Sequence, residues 1–521
     1  MTKRVVVSAL CCALWVLTTG CGDECVDAFD CRNDNGQPDE GQEWSCTEDN
    51  KCVQRPVTEP PPADAGTDAG TGTDAGVDAG IDAGTDAGID AGTDAGTDAG
   101  VDAGTDAGTD AGSMSVPKNG ACISSADCQA GLRCEAAAGG TDTTCQAMHI
   151  AVTATRRSDN VVKALVTRFD TPEPTALTAE DTSSRYPRWG PGGTKIAFAR
   201  GAVESSTAAE NESGELVVRD LPLGDAAPAV LANGTTGNTR SFRYMEWEPG
   251  NSILYVRRNA TGGTSGLTLV PTNGGAISEP VAAGTFPDWK DATTFAYSAA
   301  TQGISTSTVG GQPTPVTNAG ETAEQPHYNR ANDQLLFLAN PTGRSVTFQG
   351  DTSATPLPRL YIIPVSGSGV VSPIADYTST PIEGGTVESY IANPNWAPDG
   401  SWVAYVRAYY FKPTEGNAVL CNGTNCGGQA GNDVVVRRIN PTTGAPADNA
   451  AEVRLVPGGT LPSFSPDGRH IAYIQGGELY VQEINPTTGA TVGNAIRHNT
   501  GTTYRVETGA GDDHRPRWQP K

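Results

Sequence analysis

The chain is 521 residues long, which allows several domains, and 37% of its residues are hydrophobic, with a mean hydropathy of -0.34. This composition supports a globular core but not a chain that is folded throughout. The formal net charge is -25, and the acidic excess is concentrated in the first 112 residues. No run of lysine or arginine occurs, which argues against a nucleic-acid partner.

The N-terminus has the pattern of an export signal. A positively charged start precedes the apolar run VVVSALCCALWVL at 5–17, which is shorter than the roughly 20 residues that span a bilayer. The following TTGC at 18–21 resembles the lipobox of bacterial lipoproteins, in which the cysteine carries diacylglycerol. We therefore expect a signal peptide over 1–20 and lipidation of Cys21, which would make the membrane a partner. An ordinary signal peptide, with Cys21 in a disulfide, is the alternative.

The 13 cysteines agree with export. Two lie within the signal, and lipidation of Cys21 leaves an even number in even groups, as is typical of a disulfide framework. We expect two small cysteine-rich modules, at 21–56 and 118–146, with connectivity open within each, and one stapled loop further on. No metal is expected, because neither module contains a CxxC pair or a histidine. The predicted disulfide cysteines are Cys25, Cys31, Cys46, Cys52, Cys122, Cys128, Cys134, Cys145, Cys421 and Cys426.

Between the two modules, residues 57–117 contain a four-residue Asp-Ala-Gly repeat that runs from Asp64 to Gly112. Glycine at every fourth position disfavours a helix by about 1 kcal/mol each, and the apolar content is too low to offset the ordering entropy. Its twelve aspartates have no basic neighbour and repel one another. We expect a disordered, extended tether; weak calcium binding is the minor alternative, since the period differs from the nine-residue period of calcium-binding β-roll repeats.

Residues 147–521 contain seven copies of an aromatic cluster, most of them followed by a short apolar strand. The best copies are NPNWAPDGSWVAYVR at 393–407 and LPSFSPDGRHIAYIQ at 461–475. Six of the seven aromatic residues have proline two positions earlier, and Trp247 is the exception. A repeat of short strands with this spacing predicts a propeller. The aromatic residues of the seven copies, called anchors below, are Trp189, Trp247, Trp289, Tyr328, Trp396, Phe464 and Trp518.

Each part of the repeat has a structural explanation. Proline is tolerated at the first residue of a strand, and the anchor supplies an apolar ring between neighbouring blades. Pro-Asp-Gly is turn chemistry, so we expect Asp399 and Asp467 to be turn residues and not catalytic carboxylates. The motif Asn-Pro-Thr-Thr-Gly, at 440–444 and 485–489, predicts a second kind of hairpin turn.

The Pro-x-Trp-x-Pro-Asp-Gly run followed by Ile-Ala-Tyr resembles the TolB-type β-propeller repeat. The resemblance covers about 370 residues, with two near-complete copies and five degenerate ones. It implies an all-β fold, a periplasmic setting and action through binding of other proteins at a propeller face. No α/β domain precedes the repeats here; that place holds the cysteine-rich modules and the tether.

Counting strands predicts how the ring closes. The last copy, RPRWQP at 515–520, is followed by no further strand, while 149–178 has the pattern of strands without an aromatic opener. Joining the two fragments gives seven blades and removes exposed strand edges. Six blades are the alternative, if 149–178 packs elsewhere.

Strand alternation divides the propeller into two faces. The Pro-Asp-Gly and Asn-Pro-Thr-Thr-Gly turns share one face, the tight-turn face, and the longer insertions share the other, the long-loop face. Because binding residues are concentrated in loops on rigid scaffolds, we expect the ligand on the long-loop face. The candidate binding residues there are Tyr409, Tyr410, Phe411 and His514, with partial burial of the aromatic residues and a solvated connection around His514 as the alternatives.

Sequence motifs for catalysis are missing: there is no G-x-S-x-G, Walker A or H-E-x-x-H motif. The sequence therefore predicts a lipid-anchored envelope protein, in the outer membrane and facing the periplasm or the surface. Its propeller is expected to bind a protein or glycan without catalysis and without a cofactor. A propeller hydrolase or lyase with its site in the central channel is the alternative.

Overall fold

In the computed structural model the chain divides into two units, residues 1–109 and 110–521, and the described residues of each are treated separately. The signal peptide, Cys21, Cys25, Cys31 and the Asp-Ala-Gly repeat lie outside the described residues, so the predictions made for them stay predictions. Within the described residues, no helix is long and apolar enough to cross a membrane. The described residues are 42–47, 51–56, 115–136, 142–179, 181–201, 214–224, 226–233, 242–247, 249–257, 266–299, 303–317, 322–365, 373–447, 451–498, 503–509 and 511–521.

The first unit contains one described hairpin, in which Gln42–Cys46 pairs antiparallel with Cys52–Pro56. Cys46 lies directly opposite Cys52 in its register. The side chains of these two cysteines lie outside the description, and their predicted disulfides stay untested.

The second cysteine-rich module begins the second unit and consists of a short 3-10 helix, Ser125–Asp127, and a hairpin of Leu132–Ala136 with Thr143–Ala147. Its apolar core is very small, so cross-links have to supply much of its stability. Disulfides join Cys122 to Cys134 and Cys128 to Cys145, which settles the connectivity that the sequence left open.

Seven antiparallel sheets follow, and their first strands contact one another in sequence around a central axis, which makes a seven-bladed propeller. The prediction of an all-β, seven-bladed fold is confirmed. Blade 1 consists of Tyr504–Val506 with Arg517–Trp518, His149–Arg156, Val162–Arg168 and Thr171–Ala176. Blade 2 consists of Ser184–Trp189, Lys195–Arg200, Glu215–Asp220 and Ala229–Asn233, and blade 3 of Arg243–Trp247, Ser252–Arg257, Gly266–Pro271 and Ser278–Val281.

The remaining blades follow the same order. Blade 4 consists of Thr285–Trp289, Thr294–Ala299, Gly303–Thr308 and Thr314–Pro315, and blade 5 of Ala323–Asn329, Gln334–Ala339 and Arg359–Pro364. Blade 6 consists of Gly385–Trp396, Trp402–Pro413, Asn432–Arg438 and Val453–Pro457, and blade 7 of Thr460–Phe464, His470–Gln475, Glu478–Ile484 and Thr491–His498. The shorter elements are strands Ser345–Val346, Thr355–Pro356, Ser379–Ile382 and Val419–Leu420, and 3-10 helices Pro191–Gly193 and Gly511–His514.

Blade 1 closes the ring as the sequence predicts, with innermost segments from the C-terminus and three strands from the N-terminal side. Trp518 pairs with Ile150 and Arg517 with Ala151. Trp518 is buried in a core cluster that blades 1 and 7 share. The six-bladed alternative is therefore excluded.

The anchors link neighbouring blades by a repeated hydrogen bond in addition to their packing. The indole N–H of Trp518 donates to the carbonyl of Ser463 in the preceding blade, at 3.0 Å. Trp396 donates in the same way to the carbonyl of His327, at 3.0 Å. Trp247 departs from this pattern, because no described residue accepts its indole N–H.

Proline in the repeat serves a different purpose from the one the sequence suggested. It lies inside the innermost strand, at a β-bulge where the register shifts, and not at the first residue of the strand. The residue three positions before the anchor has a positive φ in six blades, as in Asn393 (φ 51) and Leu461 (φ 52). A bulge leaves one residue without a ladder partner, so proline, which has no N–H, is tolerated there. The bulge also bends the strand towards the axis.

Both turn predictions are confirmed. Asp399 accepts the backbone N–H of Ser401 at 3.0 Å, and the following Gly400 takes φ 71, which a side chain would strain. In the other turn, Asn485 accepts the N–H groups of Thr487 and Thr488 at 2.9 and 3.0 Å.

Candidate functional site: the two ends of the central channel

The aromatic residues predicted on the long-loop face lie in an extension of blade 6. The first two strands of this blade, Gly385–Trp396 and Trp402–Pro413, each have 12 residues and pair along their whole length. At ~3.3 Å per residue they extend well beyond the neighbouring strands. We call the projecting part, residues 379–391 and 407–431, the arm.

Tyr410 is buried inside the arm. Its hydroxyl donates to Glu388 at 2.6 Å, and Glu388 also pairs with Arg344 at 2.7 Å. Burial raises the pKa of Tyr410, as it does for Tyr409, whose pKa is raised to about 12. Tyr410 therefore supports the arm from within and is not an exposed binding residue.

Tyr409 and Phe411 are half-buried against a cluster that contains the disulfide of Cys421 with Cys426. The predicted staple of this loop is thus present. The three aromatic residues form the core of a rigid projection, which corresponds to the alternative that the sequence left open.

His514, the fourth candidate, lies in a segment that enters the channel. The innermost strand of blade 1 is interrupted between Val506, which pairs with Ala154, and Arg517, which pairs with Ala151. The described inserted residues, 507–509 and 511–516, cross the channel, and we call them the plug. Nothing in the amino-acid pattern of this connection between blades predicts that it is buried.

The centre of the plug is Asp513, which contacts two other blades. Its carboxylate accepts the backbone N–H of Tyr244 at 2.6 Å and pairs with Arg188 and Arg243, both at 3.2 Å. The Asp513 side chain is 0% exposed. A buried carboxylate with two arginine partners and a backbone donor is fully compensated, so this group fixes the plug in place.

The flanking plug residues are also buried. Arg515 reaches blade 6, where its guanidinium donates to the carbonyl of Pro394 at 2.7 Å. His514 stacks on Tyr186 with ring centroids 5.5 Å apart. Burial, together with neighbouring arginines, lowers the pKa of His514 to about 3, so the ring is neutral at pH 7. His514 is therefore a packing residue and is not presented on the long-loop face.

The opposite end of the channel, on the tight-turn face, is open. A cavity of about 390 Å³, which we call the mouth, lies between the anchors. Its ionisable side chains are Arg188, Arg330, Arg517, Lys521 and Glu246. Arg188 already pairs with Asp513, so three further cations face one carboxylate. The sequence analysis missed this group.

Glu246 orients two of these arginines. Its carboxylate lies 3.1 Å from the guanidinium of Arg517 and 3.5 Å from that of Arg188. Arg330 donates to the carbonyl of Trp289 at 2.9 Å and is exposed at the rim. An arginine fork suits carboxylate and phosphate groups, and the excess of cations favours an anionic ligand.

A signal for the mouth was present in the repeat. The residue immediately before each anchor is polar in all seven copies. In blades 4 and 6 this residue links blades: Asp288 accepts the N–H of Tyr328 at 2.6 Å, and Asn395 that of Phe464 at 3.0 Å. In four other blades it lines the mouth, as Arg188, Glu246, Ser463 and Arg517.

The second cysteine-rich module also lies on the tight-turn face. Asp467, in the Pro-Asp-Gly turn of blade 7, accepts the backbone N–H of Gly131 at 2.5 Å. Burial alone would raise the pKa of Asp467, but the nearby His470 ring and hydrogen bonds from Ser465 and Gly131 hold it well below its usual range. Asp467 is thus a turn residue that also docks the module.

No family model matches the chain, and no curated protein matches it significantly. Among solved structures, TolB from Acinetobacter baumannii is similar at 15% identity, with 72% of this chain and 67% of that chain covered and a TM-score of 0.38. The oligogalacturonate lyase of Vibrio parahaemolyticus is similar at 14% identity, with coverage of 67% and 84% and a TM-score of 0.37. The periplasmic gluconolactonase of Pseudomonas aeruginosa has 10% identity, coverage of 71% and 99% and a TM-score of 0.40.

The propeller is shown by the sheets themselves, and the similar solved structures include TolB proteins, which the repeat resembles. These comparisons also correct the prediction that the chain is not an enzyme, because the similar propellers include a lyase and a lactonase beside TolB.

Proposed function

We propose that this protein is held in the cell envelope by a lipid on Cys21 and that its propeller binds an anionic group of a protein or glycan partner at the mouth. The observation that carries the proposal is the excess of cations around an open cavity: Arg330, Arg517 and Lys521, besides the Asp513-paired Arg188, against the one carboxylate side chain of Glu246. Guanidinium groups bind carboxylates and phosphates through paired hydrogen bonds, and a cavity of one charge sign attracts the opposite one.

The geometry favours the tight-turn face over the long-loop face as the ligand side. At the long-loop end the plug occupies the channel, and its central carboxylate already satisfies the nearby arginines. The arm remains a candidate for a second contact with a protein partner, because it is rigid and projects from the ring.

Catalysis at the same cavity is the second candidate function. Glu246 is the one carboxylate among the mouth side chains, and it lies between two arginines that could neutralise an anionic substrate. This arrangement suits a lyase or hydrolase in which Glu246 acts as the base. Release of a shortened product from a bound acidic oligosaccharide would distinguish catalysis from binding alone.

Calorimetric titration of the full chain tests the proposal, with a mannuronate trisaccharide and an acetylated triglutamate peptide as anionic probes and maltotriose as the neutral control. We expect at least one anionic probe to bind, with an affinity that falls as salt rises, and any heat from maltotriose to be unchanged by salt and by Arg517→Ala. Arg517→Ala should weaken binding about tenfold, equivalent to about 1.4 kcal/mol. Lys118→Ala, outside the mouth, is the matched control. Equal affinity of wild type and Arg517→Ala would overturn the proposal.

A further inference from the structure

A second and larger depression lies between the second cysteine-rich module and blades 1 and 2. Its volume is about 980 Å³, within the range of ligand-binding clefts, and we call it the groove. The apolar part of its lining comes from Val166, Leu221, Pro222 and Leu223. The polar part comes mainly from threonine, glutamine and four charged residues, with His149 at one side.

His149 is held in a defined orientation by a chain of hydrogen bonds. Its Nδ1 lies 2.8 Å from Oε1 of Gln519. The amide of Gln519 cannot be reversed, because its Nε2 donates to Glu135 at 3.0 Å and to the carbonyl of Gly193 at 2.7 Å. Oε1 is therefore the acceptor and Nδ1 of His149 carries the hydrogen.

It follows that Nε2 of His149 carries the lone pair. The hydrogen bonds of His149 among the described residues use its backbone N–H and Nδ1, and the residue lines the groove. Burial lowers the pKa of His149, although the Gln519 bond and Glu135 oppose the shift, so the ring is neutral at pH 7. Arg133 and Arg168 also face the ring and favour the neutral form. The groove thus contains an oriented hydrogen-bond acceptor.

The charges of the groove differ from those of the mouth. Arg133 and Arg168 are balanced by Glu135 and Glu173, so the lining has no excess of either sign. Glu135 lies 3.4 Å from both guanidinium groups. A balanced lining of short hydroxyl and amide side chains around an apolar floor suits a neutral ligand rich in hydroxyl groups.

An extended peptide is a poorer fit. The outer strand of blade 1, Thr171–Ala176, forms one side of the groove and is the edge to which a peptide strand would add. Its residues Pro172 and Pro174 have no N–H, so this edge cannot offer a regular ladder of donors.

From these observations we propose that the groove is a second ligand site, which binds a neutral oligosaccharide through a hydrogen bond from a ligand hydroxyl to Nε2 of His149. Gln519 and Glu135 are positioning residues for this contact. The site is separate from the mouth and does not depend on the function proposed for it.

The test is titration of the full chain with three neutral tetrasaccharides: cellotetraose, maltotetraose and chitotetraose. We expect at least one to bind, and His149→Phe, which keeps a ring against Trp189, to weaken that binding at least tenfold. Arg330→Ala at the mouth should leave neutral binding unchanged, and His149→Phe should leave anion binding unchanged. This crossed pattern separates failure of one site from failure of the other.

A second measurement covers the case in which His149→Phe does not fold. Diethyl pyrocarbonate modifies neutral, accessible imidazole nitrogens, and mass spectrometry of the wild-type protein reports the modification of each histidine. The bound tetrasaccharide should slow modification of His149 at least threefold. Absence of binding by all three sugars, or modification of His149 at the same rate with a bound sugar, would overturn the proposal.

Discussion

The two ends of the central channel use the same kind of residue in opposite ways. At the plugged end, Arg188 and Arg243 both pair with the one buried carboxylate of Asp513. At the mouth, the cations outnumber the single carboxylate of Glu246, and the cavity is open. Arg188 contacts both groups, since it pairs with Asp513 and lies 3.5 Å from Glu246. Loop length alone therefore does not identify a ligand face, because a long connection can fold into the channel and close the channel at the long-loop end.

Replacement of Asp513 should have the largest effect on this arrangement. Asp513→Ala leaves the buried Arg188 and the partly buried Arg243 without their shared carboxylate, and loss of one partner of a buried pair destabilises by about 3–5 kcal/mol. We expect the free energy of unfolding, measured with urea, to fall by this amount. Asp399→Ala, in an exposed turn, is the control and should lose about 1 kcal/mol or less. Similar losses in the two variants would contradict the structural role of the plug.

The plug also predicts a pH dependence. The pKa of His514 is about 3, below the ordinary value near 6.5, so between these values the unfolded chain binds the extra proton. The free energy of unfolding should therefore fall as pH decreases from about 6.5 towards 3, by up to ~1.4 kcal/mol per pH unit for this group. His514→Gln should flatten the slope measured between pH 6 and 4.

Part of the slope should remain in that variant. His498 is also buried, its pKa is lowered to about 4, and it contributes with the same sign. An identical pH profile for wild type and His514→Gln would mean that His514 is not buried in the neutral form.

At the mouth, removal of the carboxylate should strengthen binding. Glu246→Gln frees Arg188 and Arg517 from their shared partner and raises the excess of positive charge. We expect the affinity for the anionic probes to rise about three- to tenfold, which corresponds to about 1 kcal/mol. Calorimetry at two salt concentrations checks this, and a fall in affinity would indicate that Glu246 itself contacts the ligand.

The smallest expected effect concerns the anchors around the mouth. Trp396→Phe removes an indole N–H that bonds to the carbonyl of His327, and should lower the free energy of unfolding by about 1 kcal/mol from the lost hydrogen bond. Trp247→Phe removes an indole N–H that no described residue accepts. Its hydrogen-bond contribution should be near zero, and urea unfolding of the two variants gives the difference.

Much of the ring could be predicted from the sequence, because its signals are local and repeated. The anchors, the Pro-Asp-Gly turns and the missing strands beside RPRWQP each depend on residues that are close in the chain. Closure by Trp518 followed from counting strands, and the structure pairs this residue with Ile150 as expected. Each copy of the anchor pattern is a weak indication of a blade by itself, but the seven copies together indicate a propeller.

The plug and the bulges could not be predicted in this way. Asp513 and His514 are polar residues in a connection between blades, where solvent exposure is the usual outcome. Their burial depends on arginines of other blades, which are more than 250 positions away. A positive φ at Asn393 or Leu461 likewise could not be read from the motif, since Tyr244 takes φ 50 at the equivalent position with Met245, not proline, after it.

The central claim is that the channel is open to anions at the tight-turn end only. Anomalous diffraction from a crystal of the protein soaked in iodide tests it directly, because iodide reports accessible cationic sites. We expect a strong peak in the mouth, between Arg330 and Arg517, and none beside Asp513. A peak among Arg188, Arg243 and His514 at the plugged end, with an empty mouth, would contradict the account.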